Sequence, residues 1–167
     1  MGGDGTRGRA LGLDLGERRI GVALSDSSRL LATPYAVVDR SGDRGRDREQ
    51  IAALVAEAGA TVVVVGIPLG LDGRVGAAAR GALAEIEEIR AVVGVPVETA
   101  DERLTTVEAE RRRSDVALEV GREGRGGRGE RRTSPHGAAR SRVRRVVDDA
   151  AAAVMLQSWI DSSAGDR

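Results

Sequence analysis

The sequence predicts an α/β fold on one mixed sheet, and three observations carry that expectation. ALGLDLG (10–16) and RRIGVALSD (18–26) alternate large apolar with small residues and meet at a tight turn around Gly16 and Glu17. TVVVVGIP (61–68) is an unbroken β-branched run, the pattern of a strand covered on both faces. Segments of helical periodicity separate the later strands, as parallel crossovers require.

Each element follows in order. The first two strands lead to a third at YAVVD (35–39), completing an antiparallel meander. SGDRGRD (41–47) reads as a polar linker into a helix whose Ile51, Leu54, Val55 and Ala58 share one face and which Gly59 closes. After the 61–68 strand, GLDGRVG (70–76) opens a second helix reaching about Val92, with Leu83, Ile86 and Ile89 on one face. VPVETA (95–100) is the fifth strand, followed by DERL (101–104). Thr105 and Glu108 have the spacing of a capping box, in which each side chain satisfies a free backbone N–H of the other's residue, so a third helix should start there. A final helix is expected over 141–161. The order β-β-β-α-β-α-β-α, a five-stranded mixed sheet with an antiparallel start and flanking helices, is that of RNase H-like folds.

At 167 residues the chain is long enough for one domain with a sizeable core. The expected organisation is a disordered tail at 1–9, one domain over 10–161 and a short tail at 162–167. A flexible Gly/Arg-rich insertion is expected at about 114–141, where GREGRGGRGERR cannot bury enough surface to offset chain entropy.

Composition narrows the chemistry. The 26 basic residues, all Arg, balance 26 acidic ones, but 12 Arg face four acidic residues between Arg111 and Arg145, so a basic segment is joined to an acidic body. Without Cys there is no disulfide, thiolate metal site or cysteine nucleophile, and the single His136 excludes a multi-His zinc site. Tyr35 and Trp159 are the only aromatics, which disfavours base stacking and directs any nucleic-acid contact to the backbone. No segment has the apolar core of a signal peptide or the length to span a bilayer, so the expectation is a soluble cytoplasmic protein.

Alternation places Gly12, Asp14 and Gly16 on one face of the first strand, opposite Leu11, Leu13 and Leu15. If this small-residue face meets that of Gly21, Ala23 and Ser25, Asp14 projects from a cleared patch. An Ala-rich helix, Ala150 to Ala153 preceded by Asp148 and Asp149, could lie across it and bring a second carboxylate. Asp101 and Glu102, at the end of the fifth strand, would supply a third, since sites gather at the carboxyl ends of strands in open α/β sheets. Three carboxylates in a partly buried pocket repel one another unless cations neutralise them. Mg²⁺ or Mn²⁺ suit such oxygen ligands, and a pair of these ions roughly 4 Å apart supports in-line phosphodiester hydrolysis. The chemistry expected is nuclease cleavage.

LGLDLGERRIGVALSD, VVVVGIPLGLDGRVG, DERLTTVEAE and VVDDAAAAVMLQSWID together resemble the YqgF family of RNase H-like proteins, also described as RuvX, Holliday junction resolvase-like proteins or pre-16S rRNA nucleases. The resemblance implies a bacterial cytoplasmic nuclease, dependent on Mg²⁺ or Mn²⁺, that matures the 5′ end of 16S rRNA, with precursor rRNA and ribosomal particles as partners. It implies Asp14 as the first acid, Asp101 or Glu102 as the second and Asp148 as the third, with Asp14, Glu102 and Asp148 as metal ligands. Arg18, Arg74 and Arg103 fall inside matched motifs and are candidates to bind phosphates. Two departures stand out: the linker after TTVEAE is expanded by roughly two dozen residues, and Gly70 stands where the family commonly has Asn.

Blander readings accompany these. Asp14 could cap a turn, Asp101 and Glu102 could be helix-entry charge, and Asp72 with Gly73 is more often an N-cap than a ligand. At the level of the whole chain, the same carboxylates would serve an endonuclease of Holliday junctions or branched DNA. A noncatalytic RNA- or ribosome-binding module is a further alternative. The D-x-G hairpin also resembles the phosphate loop of sugar kinases and actin-like ATPases, which need two such domains.

Overall fold

The computed structural model describes residues 7–69, 74–101, 143–144 and 150–165. Their strands are β1 (Arg9–Leu15), β2 (Arg19–Ser25), β3 (Ala32–Asp39), β4 (Ala60–Ile67), β5 (Val97–Asp101) and β6 (Val143–Arg144). The helices are α1 (Arg44–Ala58), α2 (Ala77–Arg90) and α3 (Ala150–Gly165). The strands form one sheet in the order β5-β4-β1-β2-β3-β6. β1, β2 and β3 pair antiparallel as a meander, while β4 joins β1, and β5 joins β4, in parallel.

Local chemistry explains the boundaries. The Asp43 carboxylate caps α1 by accepting from the backbone N–H groups of Gly45 and Arg46, so the helix starts within the polar stretch expected as a linker. Gly59 ends it at φ 61°, a left-handed conformation that glycine adopts without a Cβ penalty. At the β1–β2 turn a Cβ on Gly16 would lie 2.5 Å from the Arg19 carbonyl oxygen, so only glycine fits.

Two cores lie on opposite faces of the sheet. On one, Leu11, Leu13, Ile20, Val22, Val38, Val63 and Val65 pack with Ile51, Leu54 and Val55 of α1 and Ile86 and Ile89 of α2. On the other, Ala10, Ala23, Val62 and Val64 meet Ala152, Ala153, Met155, Leu156 and Ile160 of α3.

The five expected strands are present, and the two-residue β6 pairs antiparallel with the outer edge of β3. It lies inside the span expected for the final helix, whose described turns begin only at Ala150 and run on to Gly165. Leu83 does not share the buried face of α2 with Ile86 and Ile89. That face is Ala79, Ala82, Ile86 and Ile89, with Leu83 at its margin and 38% exposed, because α2 seats on its small alanines. The first tail is tied down at its end, since the carbonyls of Arg7 and Gly8 accept from the Arg29 guanidinium. The helix expected from Thr105 and the Gly/Arg-rich insertion lie outside the described residues. Among those described, no helix is long and apolar enough to cross a membrane.

Candidate active site

Asp14 is the penultimate residue of β1, paired with Gly21 of β2. On its other side, Leu13 pairs with Val65, so the next step along β4 is Gly66, which is buried. Asp14 therefore has glycine on both neighbouring strands. Alternation assigns it to the α3 face, because Leu11 and Leu13 belong to the α1/α2 core and Ala10 to the α3 core. The residue is half-buried and has an interaction partner within the structure.

The close approach expected on this face is made by α3. A Cβ on Gly12 would lie 2.9 Å from the Leu156 Cβ and 3.4 Å from the Ala152 carbonyl oxygen. Gln157 fixes the helix at one end of the sheet by accepting from Ala32 N–H at 2.9 Å and donating to Leu30 O at 3.1 Å. Trp159 donates its indole N–H to Glu98 at 3.1 Å, and the Arg29 guanidinium lies over its ring at 5.6 Å. These contacts orient α3. Its later turns sit where β3 begins, and its first turn points toward the carboxyl end of β1, where Asp14 lies.

Asp101 ends β5, paired with Ile67 at the last step of β4. Because β1, β4 and β5 are parallel, Asp101 and Asp14 lie at the same end of the sheet with β4 between them, about 10 Å apart at the spacing of two strands. They do not share a face by alternation. Val97 belongs to the α1/α2 core, whereas Ala100 packs with the α3 core and Glu98 bonds Trp159, so the even positions of β5 face α3 and Asp101 faces away.

Arg18 lies exposed in the β1–β2 turn, and Arg74 lies exposed in the connection from β4 to α2. Both connections leave the sheet at the Asp14 end. Glu102, Arg103, Asp148, Asp149 and Asp72 lie outside the described residues. Among the described residues, no group of three or more His, Cys, Asp or Glu could hold a metal ion.

A model of the RuvX family, described as Holliday junction resolvase, matches residues 8–125. The chain belongs to the RuvX family. A relative in Mycobacterium tuberculosis (strain H37Rv) is 42% identical over 161 residues, 95% of this chain and 81% of the relative. Another, in Mycobacterium ulcerans, is 39% identical over 156 residues, 93% of this chain and 79% of its own length. Both are named as pre-16S rRNA nucleases. Among solved structures, T. thermophilus RuvC in complex with a Holliday junction substrate superposes with a TM-score of 0.56 at 15% identity, covering 94% of this chain and 96% of that one. At that identity the likeness speaks for the fold, which is RNase H-like. The YqgF resemblance read from the four motifs is thus the RuvX family of the match, and RuvX membership makes the chain a nuclease, a hydrolase of phosphodiester bonds.

Two features of the site went unread in the sequence. Gly66 had a signal, a lone glycine inside VVVVGI, which marks a place where something approaches a strand closely. Arg40 had none. It follows β3 and looks like any charged residue entering a loop, yet its guanidinium is largely buried beneath the β1–β2 turn.

Proposed function

We propose that this RuvX-family nuclease cleaves precursor 16S rRNA, with Asp14 as the central acid of the site. The observation that carries the reading is the placement of Asp14. It stands at the carboxyl end of a central strand, glycines flank it on both neighbouring strands, and α3 is directed toward its end of the sheet.

Two further acids complete the proposed site. Glu102 is proposed in preference to Asp101 as the second acid, because Asp101 faces away from Asp14 by the alternation of β5. Asp148 is proposed as the third because it precedes the first turn of α3, which enters from Asp14's end. The donor set is carboxylate oxygen throughout, with no Cys in the chain, which fits a hard divalent cation such as Mg²⁺ or Mn²⁺. Such ions, when bound, polarise a water and offset charge on the leaving oxygen. Asp14, Glu102 and Asp148 would hold them, and Arg18, Arg74 and Arg103 would hold the flanking phosphates as planar two-pronged donors. The cytoplasm and ribosomal particles are the proposed setting.

The direct test is cleavage of a 16S-precursor fragment alongside a four-way DNA junction, with Mg²⁺ or Mn²⁺ and after chelation. Cutting of the RNA that stops on chelation and returns with either ion is the expected result. Cutting of the junction alone would replace this reading with the branched-DNA endonuclease that the RuvX description names.

A further inference from the structure

On the face of the sheet opposite Asp14, one guanidinium joins four elements. Arg40 follows β3, and its backbone N–H donates to the Arg18 carbonyl at 2.9 Å, adding a rung beyond the β2–β3 ladder. Its Nε donates to the Gly16 carbonyl at 3.1 Å. Nη1 and Nη2 both donate to the Glu85 carboxylate of α2, the second at 3.1 Å. Asp47 of α1 adds a carboxylate 3.8 Å from Nη1, itself held by the N–H (3.0 Å) and hydroxyl (2.7 Å) of Ser41. The side chains are 15% exposed for Arg40, 9% for Glu85 and 3% for Asp47. Burying three charged groups is costly unless their geometry is specified.

What they specify is the β1–β2 turn. Gly16 donates its N–H to the Asp14 carbonyl at 3.1 Å, so the residue whose carbonyl Arg40 grips is the one that closes the turn directly after Asp14. We infer that Arg40 is a positioning residue, fixing the turn to the α1–α2 layer and so setting the depth and angle of the Asp14 carboxylate on the opposite face. The inference rests on Asp14 being the nuclease acid. Catalysis by positioned carboxylates is sensitive to sub-ångström displacement, and a shift of about 1 Å costs on the order of 100-fold.

The test is Arg40→Lys in the full chain. Lysine keeps the charge beside Glu85, but its single ammonium cannot serve both Glu85 oxygens and the Gly16 carbonyl at once. Arg48→Gln is the control, since Arg48 pairs with Glu88 across the same α1–α2 seam without touching the turn. In metal-free protein, Arg40→Lys should raise amide exchange at residues 15–18 by about tenfold. With substrate it should lower kcat by at least about tenfold while KM stays within about twofold. Arg48→Gln should change neither readout. Wild-type exchange and kcat in Arg40→Lys, or an equal loss of kcat in Arg48→Gln, would overturn the inference. A wild-type protein that cleaves nothing would remove the nuclease reading and with it the catalytic half of the proposal, while the exchange rates would still decide whether Arg40 holds the turn.

Discussion

The two faces of the sheet are built on opposite rules. Toward α1 and α2 the strands present Leu11, Leu13, Ile20, Val22, Val63 and Val65, all 0–1% exposed, and the layer is thick with branched side chains. Toward α3 they present Ala10, Gly12, Gly21, Ala23 and Gly66 beside Val62 and Val64, and at Gly12 the strand backbone lies close against the helix. The thick face supplies most of the buried apolar area, and hence most of the stability. The thin face gives up that area for backbone proximity, and Asp14 stands on it.

Breaking the thick face should cost the most stability. Leu13→Ala, next to Asp14 but pointing the other way, removes a fully buried side chain and should destabilise by about 2–5 kcal/mol. Urea unfolding checks the size. Native-state cleavage well below the transition should persist, which separates stability from chemistry one residue away from the proposed acid.

The thin face should fail by crowding instead. Gly12→Val places a Cβ 2.9 Å from that of Leu156 and adds two methyl groups beyond it, for a cost of about 1–3 kcal/mol. Because α3 must move to admit the side chain, cleavage should fall even in the fraction that stays folded. Adding Leu156→Ala leaves that Cβ in place but removes the Cδ2 that would lie 3.4 Å away, making room for the valine methyls. It should therefore recover part of the stability, and the double-mutant cycle measures the coupling.

A smaller effect lies at the far end, in the β2–β3 turn. Asp26 accepts from the backbone N–H groups of Leu31 at 2.8 Å, Leu30 at 2.7 Å and Ser28 at 3.1 Å, which hold its carboxyl below the usual 3.8. A depressed folded-state pKa means the contribution is present above the unfolded value and is lost as the pH falls through the folded one. Asp26→Ala should therefore lower stability at neutral pH and leave it nearly unchanged below the folded-state pKa, with cleavage at neutral pH unaffected. Urea midpoints across that range provide the check.

Much of this contrast was legible in the sequence because strand alternation is a local code. Leu11, Leu13 and Leu15 against Gly12, Asp14 and Gly16 announced both faces before any coordinate. The Ala-rich run at 150–153 announced the helix able to approach the glycines. What alternation could not convey was long-range pairing. The Arg40–Glu85 contact spans 45 residues, and an Arg after a strand carries no local sign of the turn it will grip. Leu83 shows the same limit from another side, since helical spacing gives candidate stripes but only packing against the sheet selects among them. The face of Asp101 was likewise out of reach, since it follows from the register and packing of β5, which set Ala100 on the α3 side and Asp101 on the other.

The central claim is that Asp14 stands on the thin face to do chemistry and not to hold the fold. The most direct measurement is the cleavage rate of Asp14→Asn on the 16S-precursor fragment, taken beside its melting temperature. The account predicts a loss on the order of 1000-fold or more at an unchanged melting temperature, because the isosteric amide keeps the shape but removes the negative charge. Wild-type cleavage by the purified variant would contradict it.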